Sequence, residues 1–360
     1  MSTPLLDLIA RRIAAEGPMP VSEYMALCLG HPRHGYYMTR DPLGARGDFT
    51  TAPEISQMFG ELLGAWAADS WMRLGGPTPV ALVELGPGRG TLMADALRAT
   101  ARVPGFHAAL RLHLVETSPV LRARQAAALS PFGPTWHDRL ADVPPGPMIL
   151  LANEFFDALP IRQFARGDRG WGERMVGLDA TGALAWVLDP RPGAALVPPP
   201  LRAAPIGSVV EIHPAARSVM AEIGARLAAA PGAALILDYG HTGPAPGDTL
   251  QALERQAYAD PLAAPGQADL TAHVDFAALA ESAAAAGAVP HGPVTQGALL
   301  EGLGLSLRAA ALKRLASPAQ AGDIDAAANR LAGELQMGRL FKAMAVVSPG
   351  SPAPAGFGQQ

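Results

Sequence analysis

From position 80 onward the apolar residues alternate between two rhythms, short runs of strand length and longer stretches at helical spacing. Val80, Leu82, Val83 and Leu85 form the first run, and Leu92, Ala96 and Ala99 follow at helical spacing from Thr91. Leu110 to Val115 alternates and ends at Glu116; a helix is predicted from about Pro119 to Leu129, then a short strand around 134–137 before Asp138. Met148 to Ala152 is wholly apolar, as a central strand covered on both faces should be, and it ends at Asn153-Glu154. Strand and helix in this alternation predict a parallel sheet with right-handed crossovers.

Before this region, Leu5, Leu6, Leu8, Ile9 and Ile13 mark a first helix, and Ser22 reads as the N-cap of a second running to about Leu29. A long polar and aromatic connection follows, through His31 to Tyr37 and Gly47 to Ser56. Its apolar anchors Phe49, Ile55, Met58 and Phe59 favour an ordered lid, with Pro53 in the first turn of a helix continuing through Leu62, Leu63 and Trp66. From Ile161 to about Ala230 the rhythm breaks into short strands at 163–165, 171–178 and 183–188, a surface loop over 190–205 and a helix from Ser218. Ala234 to Gly240 restores the sheet. A loop through Pro261 and Pro265, a helix over about 274–286, a strand near 289–296, further helices to Met337 and a last strand over 339–347 complete the chain.

Five segments are therefore expected. They are N-terminal helices and lid (1–75), the first half of the core (76–160), an inserted α+β subdomain on the substrate side (161–230), the second half (231–348) and a disordered tail (349–360).

Composition narrows the function without naming it. A net charge of −4 over 360 residues gives no blanket attraction for nucleic acid or an anionic membrane. The single cysteine, Cys28, excludes an intramolecular disulfide and a Cys-rich metal site, and no metal is expected. No window is apolar enough to span a bilayer, and Arg11 and Arg12 follow only a short amphipathic stretch with no secretory signal. Abundant Ala, Gly, Pro and Arg with few Lys suggests a GC-rich bacterial genome, and a bacterial cytoplasmic location is expected.

The chemistry concentrates where the first strand turns. Glu84-x-Gly86-x-Gly88-x-Gly90 places an acid in the strand end and three glycines at alternate positions, so the backbone turns sharply and a ligand lies directly against it. A dinucleotide fingerprint would read G-x-G-x-x-G, which speaks against a nicotinamide dehydrogenase. No G-x-S-x-G occurs, which disfavours a hydrolase. The stretch resembles motif I of class I S-adenosylmethionine (SAM) methyltransferases, in which the turn meets the ammonium-bearing methionine half of the cofactor.

Further stretches resemble one family, the MidA-type methyltransferases of bacteria and mitochondria. They are Gly47 to Gly60, Glu84 to Leu97, His113 to Pro119, Asn153-Glu-Phe-Phe-Asp-Ala-Leu-Pro160, Asp238 to His241, Asp260 to Leu262 with Gly266 to Phe276, and Met337 to Lys342. The resemblance implies an α/β, Rossmann-like class I fold: a seven-stranded doubly wound sheet with a helical lid and an inserted subdomain between the fourth and fifth core strands. It implies SAM as cofactor and methylation of a protein, with symmetric dimethylarginine on a 49 kDa-type subunit of respiratory complex I as the family's mitochondrial activity. The oligomeric state, monomer or homodimer, stays open.

On this expectation Glu116 accepts the ribose hydroxyls, Asp138 the adenine amino group, and Thr50 and Thr51 reach the cofactor carboxylate. Asn153 and Glu154 face the methyl, and Glu154 grips a guanidinium, with Asp157 or Asp238 as a second carboxylate. Other readings stand beside these: Glu116 and Asp138 as ordinary strand-end and loop acids, Thr50 and Thr51 as turn caps, and Glu154 as the N-terminal acid of a helix beginning at Phe155. Tyr36, Tyr37, Phe155 and Phe156 are tunnel walls or core. A small-molecule methyltransferase, or an assembly protein that binds SAM without turnover, remains the alternative function.

Overall fold

The computed structural model describes residues 3–41 and 51–358. They form two units, one of Thr50–Phe155, Val219–Gly240 and Leu279–Gln360, the other of Met1–Phe49, Phe156–Ser218 and His241–Ala278. The N-terminal helices thus group with the insertion and with 241–278, a different division from the one the sequence suggests.

The first unit is built on a sheet in which seven strands follow one path. These are β1 (Val80–Leu85), β2 (Leu110–Val115), β3 (Thr135–His137), β4 (Met148–Asn153), β5 (Gly232–His241), β6 (Val289–Thr295) and β7 (Phe341–Val347). Their order is β6-β7-β5-β4-β1-β2-β3. Neighbours from β5 to β3 are parallel, and β7 runs antiparallel to both β5 and β6. Val80, Leu82, Leu112, Leu114, Ile149, Leu151, Leu235 and Leu237 alternate along their strands, so all enter one core, as a period of two requires. The intervening Val83, Leu85, Leu150 and Ile236 are buried as well, which is why β1, β4 and β5 read as continuous apolar runs.

Four helices frame the site: α1 (Ala52–Ile55), α2 (Gln57–Arg73), α3 (Thr91–Thr100) and α4 (Pro119–Leu129). The single helix expected through Pro53 and Trp66 is two. Ser56 is extended and its hydroxyl accepts from the Met58 N–H, so one residue ends α1 and caps α2. Gly60 and Gly64 let α2 lie backbone to backbone on α3: a Cβ at Gly64 would stand 2.6 Å from Ala96 Cα. That contact holds α3, and hence the glycine turn before it, against the sheet.

The second unit carries an antiparallel sheet of Met19–Pro20, Gly170–Leu178, Arg162–Gly167 and Val209–Ile212, with Leu184–Pro192 paired to Gly170–Leu178. Its core joins Leu5, Ile9, Tyr24, Tyr36, Ile161 and Val176. A small sheet of Ala257–Ala259, Gln251–Glu254 and Asp269–Thr271 lies within the region read as a loop. The expected N-cap, Ser22, falls inside a helix that starts at Val21 after Pro20.

Two expectations are corrected. No helix begins at Phe155; residues 154–160 are bends and turns. The tail is not disordered as far as residue 358, since Phe357 packs on the core and the Phe357 N–H donates to Pro354 O. Among the described residues no helix is long and apolar enough to cross a membrane.

Candidate active site

Parallel strands deliver their carboxyl ends to one edge, and there the backbone ladders run one residue past each strand. Gly86 N donates to Val115 O, Glu116 N to His137 O and Glu154 N to Leu237 O. Gly86, Glu116 and Glu154 are thereby fixed along that edge, and the strand order reverses between β1 and β4, where ligands bind in open α/β sheets.

All three turn glycines are left-handed, with φ of 61° at Gly86, 54° at Gly88 and 83° at Gly90. Only glycine adopts this region without strain. Two of them are also needed for packing: a Cβ on Gly86 would meet Phe155 Cδ2 at 3.0 Å, and one on Gly90 would meet Leu129 Cδ1 at 3.2 Å.

Glu84 is 3% exposed, and its Oε2 has no hydrogen-bond partner among the described residues. Burial, reinforced by the charge of Glu116, pushes its carboxyl up to about 8. Glu116 is buried beside it, with Oε1 accepting from the Ser118 N–H at 2.8 Å and Oε2 from the Gln125 amide at 3.2 Å. Desolvation raises its pKa against those two bonds. Two buried acids with an unsatisfied oxygen next to a glycine turn make a site that favours a cation carrying N–H donors. Among the described residues, no group of three or more His, Cys, Asp or Glu is placed to hold a metal.

Asp138 stands apart. Its side chain is 74% exposed and pairs with Arg122 Nη2 at 2.8 Å, while the same guanidinium donates to the Glu116 carbonyl. His137 meets His113 across the strand ends, Nε2 to Nδ1 at 3.0 Å.

Glu154 is one of the few non-glycine residues with positive φ, 49°. Such a conformation costs about 1 to 3 kcal/mol and persists where surrounding structure imposes it. Here its Oε1 accepts from the Ala52 N–H at 3.0 Å and from Asn153 Nδ2 at 3.1 Å. Glu154 therefore caps α1, not a helix of its own. A carboxylate only accepts, so Asn153 must turn its NH₂ toward it, and the buried Asn153 Oδ1 is left without a partner among the described residues.

Thr51 stands at the N-cap of α1 without a side-chain cap bond, and Thr50 lies outside the described residues. At the other end of α1, Glu54 accepts from Thr91 Oγ1 at 2.6 Å and faces Arg89 Nη1 at 3.5 Å. One helical turn thus links the glycine turn to Glu154, a role for Glu54 and Arg89 that sequence reading missed. Asp157, Tyr36, Tyr37 and Phe156 belong to the other unit; Asp157 is buried, Tyr36 and Phe156 are core, and Tyr37 donates to Asp269 at 2.8 Å. Asp238 is fully buried and accepts from the Tyr239 N–H.

Comparison with known proteins identifies the family. Residues 62–294 match the family described as S-adenosyl-L-methionine-dependent methyltransferase. A protein named protein arginine methyltransferase NDUFAF7, mitochondrial, from Danio rerio is 38% identical across 96% of this chain and 87% of its own length. The Homo sapiens protein of that name is 39% identical across 85% and 74%. A crystal structure from Burkholderia thailandensis with bound S-adenosyl-homocysteine superposes with a TM-score of 0.85 at 31% identity, covering 99% of this chain and 96% of that one. The expectation of a bacterial cytoplasmic protein is overturned by these curated relatives, which are named as mitochondrial proteins. Composition reflects codon usage and does not read compartment. The chain belongs to the S-adenosyl-L-methionine-dependent methyltransferase family that includes the NDUFAF7 proteins, and it is a methyltransferase of class I fold with SAM as its cofactor.

Proposed function

We propose that this chain methylates arginine in a protein acceptor, forming symmetric dimethylarginine on a subunit of respiratory complex I or a related protein. The observation that carries the reading is the strained, doubly anchored Glu154 at the end of β4. The name of the relatives supports the residue type.

When bound, SAM supplies a methyl group on a sulfonium, already activated for in-line transfer. The protein's task is to hold and align the acceptor nitrogen ~3 to 3.5 Å from that carbon. Guanidinium is planar and a poor nucleophile; a carboxylate fixed in plane orients it and concentrates its charge on the side away from attack. Glu154 supplies that carboxylate, and Asn153 Oδ1 offers an acceptor for an N–H beside it. As the N–C bond forms and the S–C bond breaks, the nitrogen sheds a proton, for which no strong base is required.

On the cofactor side, Glu84 faces the ammonium, the Gly86-Gly88-Gly90 turn admits the methionine half, Glu116 takes the ribose hydroxyls, and Thr51 serves the carboxylate end. Asp138, exposed and paired with Arg122, is at most a rim contact for adenine.

The test is transfer of labelled methyl from SAM to a complex I 49 kDa-type subunit, followed by acid hydrolysis. Label in symmetric dimethylarginine is expected. Label only in a small molecule, or none in any acceptor, counts against the reading.

Glu84 gives a second expected outcome. With its folded pKa raised to about 8 from 4.5, the fold keeps a proton that the unfolded chain loses; that stability is full below pH 4.5 and is lost as pH rises through 8. An ammonium at Glu84 demands the carboxylate. Binding of S-adenosyl-homocysteine at pH 7 should therefore release about one proton per ligand. Calorimetry in buffers of different ionisation enthalpy measures it, and a Glu84→Gln protein should release none. Equal release from both proteins would remove Glu84 from the ammonium site.

A further inference from the structure

Helix α4 buries a stripe of Leu121, Gln125 and Leu129, positions four apart. An amide in the middle of an apolar stripe must find partners, and Gln125, at 0% exposure, finds three. Its Oε1 accepts from the Trp136 indole N–H at 2.8 Å. Its Nε2 donates to Gly88 O at 2.8 Å and to Glu116 Oε2 at 3.2 Å. An indole only donates, so the amide has one sense: oxygen toward β3, NH₂ toward the glycine turn and the acid.

We propose that Gln125 is the positioning residue that fixes the Glu116 carboxylate and the Gly88 turn together, and so sets the selectivity of this site for a ribose over a deoxyribose. The proposal rests on the reading of Glu116 as the ribose acid. A vicinal diol is recognised by a carboxylate only in one plane. Ser118 holds one oxygen of Glu116 and Gln125 holds the other, so the plane is set before any ligand arrives. The second Nε2 contact ties that plane to the carbonyl of Gly88, in the turn that meets the other half of the same ligand. Trp136, on β3, locks the amide from behind.

The test uses the full chain and two probes, S-adenosyl-homocysteine and its 2′-deoxy analogue, titrated calorimetrically. The native protein should prefer the ribose ligand by on the order of tenfold or more, the effect of one hydrogen bond to a charged group. Gln125→Glu keeps the acceptor for Trp136 but removes both donors, and should bring the two affinities within about twofold of each other. Trp136→Phe leaves Gln125 and Glu116 in place but frees the amide to turn, and should lower the preference part of the way. Merely structural damage would weaken both ligands alike and leave their ratio. A native ratio in folded Gln125→Glu overturns the proposal, and if that variant does not fold, a native ratio in Trp136→Phe does so. Full discrimination by Glu116→Gln is a different failure: it overturns the ribose assignment of Glu116, and Gln125's role with it.

Discussion

Gly88→Val is expected to weaken S-adenosyl-homocysteine binding by at least about a hundredfold, to below calorimetric detection, in a protein that still folds. The residue sits at φ 54°, where a β-branched side chain is a steric outlier costing about 1 to 3 kcal/mol. That cost is tolerable for a sheet with so extensive a core, and the strand before it is unaffected. The larger effect is expected on the ligand, because a Val side chain adds bulk beside the backbone on which the ligand is expected to lie. A side chain at Gly86 presses on Phe155 and one at Gly90 on Leu129, so lost binding there would be mixed with lost packing. The measurement pairs a thermal melt with the titration. Near-native affinity in folded Gly88→Val would mean that the ligand does not lie on this turn.

The same turn shows what a sequence makes legible. β1, β4 and β5 announced themselves because both faces of the sheet are covered, which forces unbroken apolar runs. Glu84 and Glu116 stood out because an acid closing such a run has no packing reason to be there. Partners distant in sequence carried no such signal. Glu154 bonds to Ala52, 102 positions away, and neither the cap it forms nor its positive φ leaves a trace in local spacing. The expected helix at Phe155 failed for the same reason: the acid serves another helix. The strands 251–254, 257–259 and 269–271 are too short for a period to be counted. Gln125 was legible and overlooked, a polar residue on the stripe of Leu121 and Leu129. Asp138 shows the converse error of position: a strand-end acid that turns to solvent and to Arg122.

Glu154→Gln should separate binding from transfer. The substitution is nearly isosteric and leaves φ at 49° as strained as before, so the melting temperature should hardly move. A glutamine oxygen still accepts from the Ala52 N–H and from Asn153, which keeps α1 capped and Glu54 on Thr91. The glycine turn therefore stays as it is, and affinity for S-adenosyl-homocysteine should remain within about twofold. The charge, however, is gone, and an NH₂ group now faces a cationic acceptor. Loss of a preorganised electrostatic partner in a reacting site costs on the order of 10² to 10³ in kcat, and that fall is expected here. Single-turnover methyl transfer with saturating SAM and acceptor measures it without interference from product release. If the loss appears only in KM for the acceptor, Glu154 grips the substrate but does nothing for the transfer step. Normal turnover by the folded variant would remove Glu154 from the mechanism, leaving Asn153 and Asp157 to be tested in its place.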